Sequence, residues 1–315
     1  MSEAVIQTNG LTRYFGSHCA VDQVNFAVPR GSVFALLGRN GSGKTTIVRM
    51  LLGLLKSTRG SATILNEDCQ RISPATRGQI GYVAEGHPLF DSMRVSELEQ
   101  FQRSFYPAWE GGLFKKVIRQ FDLTGRERAG RVSRGQRAGV SLALVLATKP
   151  SLLVMDDPAM GLDPVARRTL LEVMILVTRD AGHTIFFTSH QLDDVERVAD
   201  HIAILDRSVL RVCCPVESLQ TRVKRLSLEF AGDTPLRLEV PGLVESRRYG
   251  NEVQLIVANS NDQTDRAVAA MGAVAVRESP LTLSEIAIAY LSGGGGGVAE
   301  ARRPSLLETS AGGKP

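Results

Sequence analysis

Residues 38–46 read Gly38-Arg39-Asn40-Gly41-Ser42-Gly43-Lys44-Thr45-Thr46, a glycine-rich loop closed by a lysine and two threonines. From Gly38 to Thr45 the spacing is G-x-x-x-x-G-K-[ST]. The apolar run Ser32-Val33-Phe34-Ala35-Leu36-Leu37 before it predicts a buried strand, and Ile47-Val48-Arg49-Met50-Leu51-Leu52 after it predicts a helix. Strand, loop and helix form the context in which this spacing holds phosphate. Glycines let successive backbone N–H groups converge on phosphate oxygens, and the following helix presents its positive end to the same place. Lys44 then reaches the terminal phosphates of a nucleotide, and the Thr45 hydroxyl is placed to ligate Mg²⁺.

Further along, Ser151-Leu152-Leu153-Val154-Met155-Asp156-Asp157 is an apolar strand that ends on two acids. A buried parallel strand ending in this way delivers its carboxylates to the sheet edge where the phosphate loop also lies. Asp156 is the natural direct or indirect partner of Mg²⁺, and Asp157 is placed to orient or deprotonate an attacking water. Asp-Asp-Pro alone is also a plain turn; the phosphate loop upstream favours the chemical reading.

Between the two boxes lies Val132-Ser133-Arg134-Gly135-Gln136, and after them come Gly161-Leu162-Asp163 and Thr188-Ser189-His190. In order and spacing these motifs resemble the ATP-binding cassette (ABC) family, in its multidrug and antibiotic efflux branch, over about the first 215 residues. The resemblance implies an α/β fold: a P-loop NTPase core with an antiparallel β subdomain and a helical signature subdomain, plus a small C-terminal α+β appendage. It implies ATP and Mg²⁺ as cofactors, with Thr45, Asp156 and Glu85 facing the metal. Tyr14 matches the aromatic that stacks on adenine. Ser133, Gly135 and Gln136 belong to the signature loop and Asp163 to the D-loop, both nucleotide-contacting. His190 matches the histidine that senses the γ-phosphate, and Asp157 and His190 are the residues expected to be catalytic.

Three residues depart from the commonest family pattern. Glu85 stands for the usual Q-loop glutamine. Arg134 replaces the first of two signature glycines, adding bulk and charge to a loop that the family presses against a nucleotide. Asp157 replaces a glutamate and is one methylene shorter, which retracts its carboxylate by roughly 1.5 Å. ATP binding survives all three changes on this reading, while hydrolysis is expected to be slow.

The 315 residues suggest two domains rather than one. A net charge of +4 with 22% charged residues does not demand nucleic acid. The densest basic group, Arg126, Arg128, Arg131, Arg134 and Arg137, reads as a solvated surface around a phosphate-facing loop rather than a DNA-binding stripe. Aromatics are sparse and Trp109 is the only tryptophan, so no stacking platform for single strands is apparent. Cys19, Cys69, Cys213 and Cys214 have neither zinc-ligand spacing nor a relaxed adjacent pairing, which fits a reducing compartment. Met1-Ser2-Glu3-Ala4 does not start a secretory signal, and the longest apolar stretch, Ala138 to Ala147, falls short of the ~20 residues that span a bilayer. The expected location is therefore the cytoplasmic face of a membrane, reached through a permease partner.

Strands are expected at Ala4–Thr8, Val21–Val28, Ile80–Ala84 and Thr184–Thr188, and helices at Ala138–Thr148 and Pro164–Asp180, with Ser133 able to cap the helix that the signature loop opens. The segment 91–131 reads as the helical subdomain, which in the family touches the membrane partner. Beyond Arg222, Leu226–Phe230 and Val253–Val257 alternate like strands, while Asp262–Met271 and Leu281–Leu291 read as helices. The boundaries expected are a cassette over 1–217, an accessory α+β domain over 218–292, read as regulatory or dimer-supporting, and a flexible tail over 293–315. His18, His87, His183 and His201 match no motif.

The resulting expectation is the ATP-hydrolysing subunit of a membrane exporter, paired with a second cassette and an integral membrane permease, and not with nucleic acid. Two alternatives stay open: a soluble cassette of the translation or DNA-repair kind, and an ATP switch that hydrolyses slowly. The first usually carries two cassettes per chain or a long coiled-coil insertion, neither of which is present. The second draws on Asp157 and Arg134.

Overall fold

The computed structural model describes residues 4–181, 183–235 and 238–292, and their side chains apart from those of 177–181. The tail expected from 293 lies outside the described residues. Alternating burial along Ala4–Phe15 (β1) and His18–Val24 (β2), with the short Ala27–Pro29 (β3), builds an antiparallel layer. Val33–Gly38 (β4) is buried at every position, the mark of a central strand covered on both faces. The phosphate loop leads into Lys44–Leu51 (α1), and Arg59–Ile64 (β5) with Glu67–Asp68 (β6) returns the chain to the antiparallel layer.

A short turn of helix, Pro74–Arg77 (α2), precedes Ile80–Val83 (β7). The helical segment comprises Val95–Arg103 (α3), Gly111–Gln120 (α4), a 3-10 turn at Ala129–Arg131, and Arg134–Leu146 (α5). Leu152–Met155 (β8), Pro164–Ala181 (α6), Thr184–Ser189 (β9), Leu192–Val198 (α7), His201–Asp206 (β10) and Val209–Pro215 (β11) follow. The large sheet runs β6-β5-β1-β2-β11-β10-β4-β9-β8-β7, with β3 beside β1. Its stretch β10-β4-β9-β8-β7 is wholly parallel. Phe26, Phe34 and Phe186 stack beneath it with ring centroids 5.5–5.8 Å apart. Each such ring contributes roughly 1.5–3 kcal/mol by leaving water.

Val216–Arg222 (α8) leads to a second sheet. Its strands are Val223–Glu229 (β12), Leu243–Tyr249 (β13), Glu252–Ala258 (β14) and Ala275–Ser279 (β15), ordered β13-β14-β12-β15 and antiparallel throughout. Asp262–Ala269 (α9) and Leu283–Ser292 (α10) accompany it. The chain divides into two compact units: one runs to Leu210 and takes in Cys214–Glu217, the other takes Arg211–Cys213 and the chain from Ser218 on.

Several expected boundaries shift. The strand expected over Val21–Val28 breaks into β2 and β3 at Asn25 and Phe26, where the Asn25 side chain accepts the Gly10 N–H and donates to the Gln23 carbonyl. The helix expected from Ala138 begins at Arg134, directly behind its Ser133 cap. Six strands had not been foreseen: β5, β6, β10 and β11 of the large sheet, and in the second sheet β13, whose Glu245, Ser246, Arg247 and Arg248 hide any apolar alternation, and β15, whose Arg277 and Glu278 do the same.

Candidate nucleotide site

Parallel pairing of β7, β8, β9 and β4 sets four consecutive strand ends side by side. The phosphate loop leaves β4, Glu85 follows β7, Asp156 and Asp157 follow β8, and His190 follows β9. Such an edge is where open α/β sheets bind ligands.

Within the loop, Gly43 has φ 108° and lies so close to the Ala20 carbonyl that any Cβ would collide with it. Only glycine meets both conditions. Lys44 is 7% exposed, and its Nζ donates to the carbonyls of Gly38 at 2.8 Å and Arg39 at 3.2 Å. Burial pushes its pKa down, while Asp157, Asp156 and Glu85 pull it back up. Ser42 Oγ is buried without a hydrogen-bond partner. A desolvated cation and an orphaned hydroxyl in one loop fit an anion that would supply their missing contacts.

The two acids share one threonine. Asp156 Oδ1 accepts from Thr45 Oγ1 at 3.1 Å and from Thr188 Oγ1 at 2.9 Å. The same Thr188 oxygen accepts the Asp157 N–H at 2.8 Å. Asp157 holds a left-handed φ of 45°, a conformation that costs a non-glycine residue about 1–2 kcal/mol. Its Oδ2 lies 2.7 Å from His190 Nδ1. An ionised carboxylate only accepts, so Nδ1 carries the proton of this contact.

An open pocket of about 530 Å³ lies over the loop. Asn40, Gly41, Gly43, Lys44, Thr45 and Thr46 form one wall and Glu85 and Asp157 another, with Phe15, His18, Ala20 and Met160 completing the lining. That volume lies in the usual range of cofactor sites. Tyr14, expected to stack on adenine, does not line this pocket; it faces a separate surface hollow with Asp22 and Arg59. Phe15 lines this pocket instead, with the Arg13 guanidinium 4.6 Å from its ring centre. The physical reason is a slip in the β1–β2 register on both sides of Arg13, since an irregularity of this kind re-aims the side chains after it.

None of Ser133, Gly135, Gln136 and Asp163 lines the pocket either. Ser133 and Gln136 form a reciprocal capping box at the start of α5. Asp163 Oδ1 accepts the N–H groups of Val165 and Ala166 and caps α6. Gly135 packs against Ala166 with no room for a Cβ.

Two residues escaped the motif reading. Arg137 had been grouped with a solvated basic surface, yet its guanidinium bonds the carbonyls of His87, Leu89 and Ala129 and the Asp91 carboxylate. His87, which matched no motif, is 3% exposed with Nε2 2.9 Å from the Pro158 carbonyl. No sequence signal pointed to either, because both act through backbone carbonyls.

Among the described residues no three of His, Cys, Asp and Glu cluster to hold a metal by themselves. That fits Mg²⁺, which one or two carboxylates hold together with phosphate oxygens. Thr45 and Asp156 offer such a partial set beside the pocket.

Comparison with known proteins places this geometry. Residues 21–160 match the family described as ABC transporter. The Nod factor export ATP-binding protein I of Rhizobium sp. (strain N33) is 36% identical over 247 residues, covering 76% of this chain and 80% of that protein. This chain belongs to the ABC transporter family. It is an ATP-binding subunit of that family and an ATPase. The bacitracin transport ATP-binding protein BcrA of Bacillus licheniformis is 30% identical over 228 residues, covering 72% of this chain and 74% of the relative. The cassette fold is shared with a dimeric ATP-binding cassette solved in a post-hydrolysis state with ADP and Pi. That match has a TM-score of 0.58 at 20% identity and covers 67% of this chain and 98% of the other.

Proposed function

We propose that this ABC ATPase energises an exporter: two cassettes close on ATP, and the closure drives an integral membrane permease at the cytoplasmic face of the membrane. The observation that carries it is the convergence of Lys44, Thr45, Asp156, Asp157 and His190 on one sheet edge. Three things support a second cassette. Relatives are named for Nod factor export and bacitracin transport, a structural neighbour is dimeric, and the signature residues stand apart from their own chain's pocket. Ser133, Gly135 and Gln136 of the signature loop and Asp163 of the D-loop would complete the site of another copy.

For the permease, the helical segment carries an exposed aromatic patch. Phe90, Phe101 and Phe105 are 61%, 46% and 65% exposed and pack edge to face. Contiguous exposed aromatics of this kind mark interaction surfaces. No helix among the described residues is long and apolar enough to cross a membrane, so attachment runs through the partner. Residues 218–292 form an accessory domain in this proposal, regulatory or dimer-supporting.

In the chemical step Lys44 leaves the loop carbonyls for the terminal phosphates, and Phe15 covers the base. Thr45, Asp156 and Glu85 would hold Mg²⁺, which would supply charge neutralisation at the phosphates. Asp157 takes the proton of the attacking water, and His190 fixes the direction of its carboxylate.

Single-turnover hydrolysis by the purified chain tests the assignment. Asp157→Asn lowers the rate by roughly 10²–10⁴-fold with ATP binding intact, because the amide cannot take the proton. Asp157→Glu keeps or raises it by extending the carboxylate. If Asp157→Asn hydrolyses as fast as the parent, Asp157 is not the base. The ATP-switch reading then moves ahead.

A further inference from the structure

Two residues beyond Glu85 the backbone turns through Gly86 and His87, with φ 74° and 51°, and sends the His87 ring inward. Its Nε2 lies 2.9 Å from the carbonyl of Pro158, the residue directly after Asp157. A carbonyl only accepts, so Nε2 carries the proton. Nδ1 is buried without a partner. Burial pushes the ring's pKa down, which keeps it neutral and leaves Nδ1 as a bare acceptor. From the opposite side Arg137 Nε holds the His87 carbonyl at 3.0 Å, and Arg137 lies one helical turn past Ser133.

A contiguous chain therefore runs from the signature helix through Arg137 and His87 to the peptide that follows the candidate base. Pro158 is itself buried. The turn it belongs to is closed by the Met160 N–H on the Asp157 carbonyl at 3.1 Å. The left-handed Asp157 backbone is a state that persists only where its surroundings enforce it.

We infer that His87 is a positioning residue for hydrolysis, fixing with Arg137 the 157–160 turn and so the aim of the Asp157 carboxylate. The inference rests on the reading of Asp157 as the base. It gives the signature helix a route to the acid of its own chain, distinct from any contact it makes across a dimer. Geometry at a base is demanding, and a displacement of about 1 Å costs on the order of 10²-fold in rate.

A matched pair of variants of the full chain tests it. Glutamine brings its amide nitrogen to about the reach of Nε2, while asparagine stops short of the Pro158 carbonyl. His87→Asn should lower single-turnover hydrolysis by about 10–100-fold, with ATP affinity within about twofold of the parent. His87→Gln should stay within about threefold of the parent rate. Combined with Asp157→Asn, His87→Asn should remove nothing further, since it acts through a carboxylate that is no longer there.

Parent-like hydrolysis in His87→Asn, equal losses in both His87 variants, or losses that multiply in the double variant would each overturn the inference. A parent-like Asp157→Asn sinks the base reading itself; a crippled Asp157→Asn beside a parent-like His87→Asn sinks only the positioning role. Should His87→Asn fail to fold, Arg137→Gln decides. It releases the His87 carbonyl without altering the ring and should give the same loss in kcat at unchanged ATP affinity, and a parent-like rate overturns the relay.

Discussion

In the unit that runs to Leu210, Lys44, His87, Asp156, Asp157 and Thr188 are all buried, whereas in the unit built on β12–β15 Thr264 is the only buried polar side chain among the described residues. Thr264 is consumed by structure: its hydroxyl donates to the Pro241 carbonyl and its N–H takes part in the Asn261 cap of α9. Around it, Leu226, Leu228, Val253, Leu255 and Val257 form an ordinary apolar core. The first unit instead holds a cation against carbonyls and leaves Ser42 Oγ and His87 Nδ1 without partners, where the second leaves Glu245 Oε2, the other oxygen of a carboxylate already paired with Arg247. Buried polar groups are costly unless paired, so they persist where a ligand or a reaction makes use of them. Stability and function are thus drawn from different residues in the two units.

The sharpest way to break that contrast is Lys44→Ala. ATP affinity should fall on the order of 10²-fold, because the main charge-assisted contact to the terminal phosphates is gone. The melting temperature of the nucleotide-free chain should hold or rise, since a desolvated charge is removed. Titration with a fluorescent ATP analogue and a thermal melt give both numbers. Unchanged affinity would falsify the phosphate-loop assignment, and a melt lowered by several degrees would make Lys44 a structural residue.

Much of the first unit was legible because its chemistry is written in consecutive residues. The loop 38–46, the acids at Asp156 and Asp157, and Thr188 to His190 each sit at a strand end, and apolar runs mark those strands. What escaped depends on geometry that no spacing encodes. Whether Tyr14 or Phe15 faces the pocket is set by the register slips on both sides of Arg13, invisible in the residues themselves. His87 and Arg137 work through carbonyls, which carry no side-chain signature. In the second unit β12 and β14 were readable from alternation, but the edge strands β13 and β15 are too polar to reveal a buried face.

Thr188→Val sharpens the contrast from inside the site. The substitution keeps shape but takes the donor from Asp156 Oδ1 and the acceptor from the Asp157 N–H, leaving that N–H buried and unpaired. Such a loss costs about 1–3 kcal/mol of stability. Hydrolysis should drop about tenfold as both acids loosen, with ATP affinity changing less. Denaturant unfolding and single-turnover rates measure the two effects. Stability lost with full hydrolysis would show Thr188 to be scaffold only.

The smallest effect is expected at the start of α10, where polar groups serve structure alone. Glu285 accepts the Thr282 N–H at 2.9 Å and the Thr282 hydroxyl at 3.0 Å, and pairs with Arg225 at 2.6 Å. The Thr282 N–H above all, then Arg225 and the Thr282 hydroxyl, hold its pKa down at about 2. A carboxylate depressed in the folded state adds stability above its unfolded value near 4.5, and that contribution disappears as pH falls through about 2. The side chain is 40% exposed, so solvent screens the pair, and Glu285→Gln should cost no more than about 1 kcal/mol at neutral pH. Near pH 2 the difference between parent and variant should all but vanish, since the parent's acid is then about half protonated. ATP affinity and hydrolysis at neutral pH should match the parent. A Glu285→Gln chain that melts like the parent at neutral pH but hydrolyses ATP at a different rate would break the comparison, because the second unit's polar groups would then be acting on the first unit's chemistry rather than on their own fold.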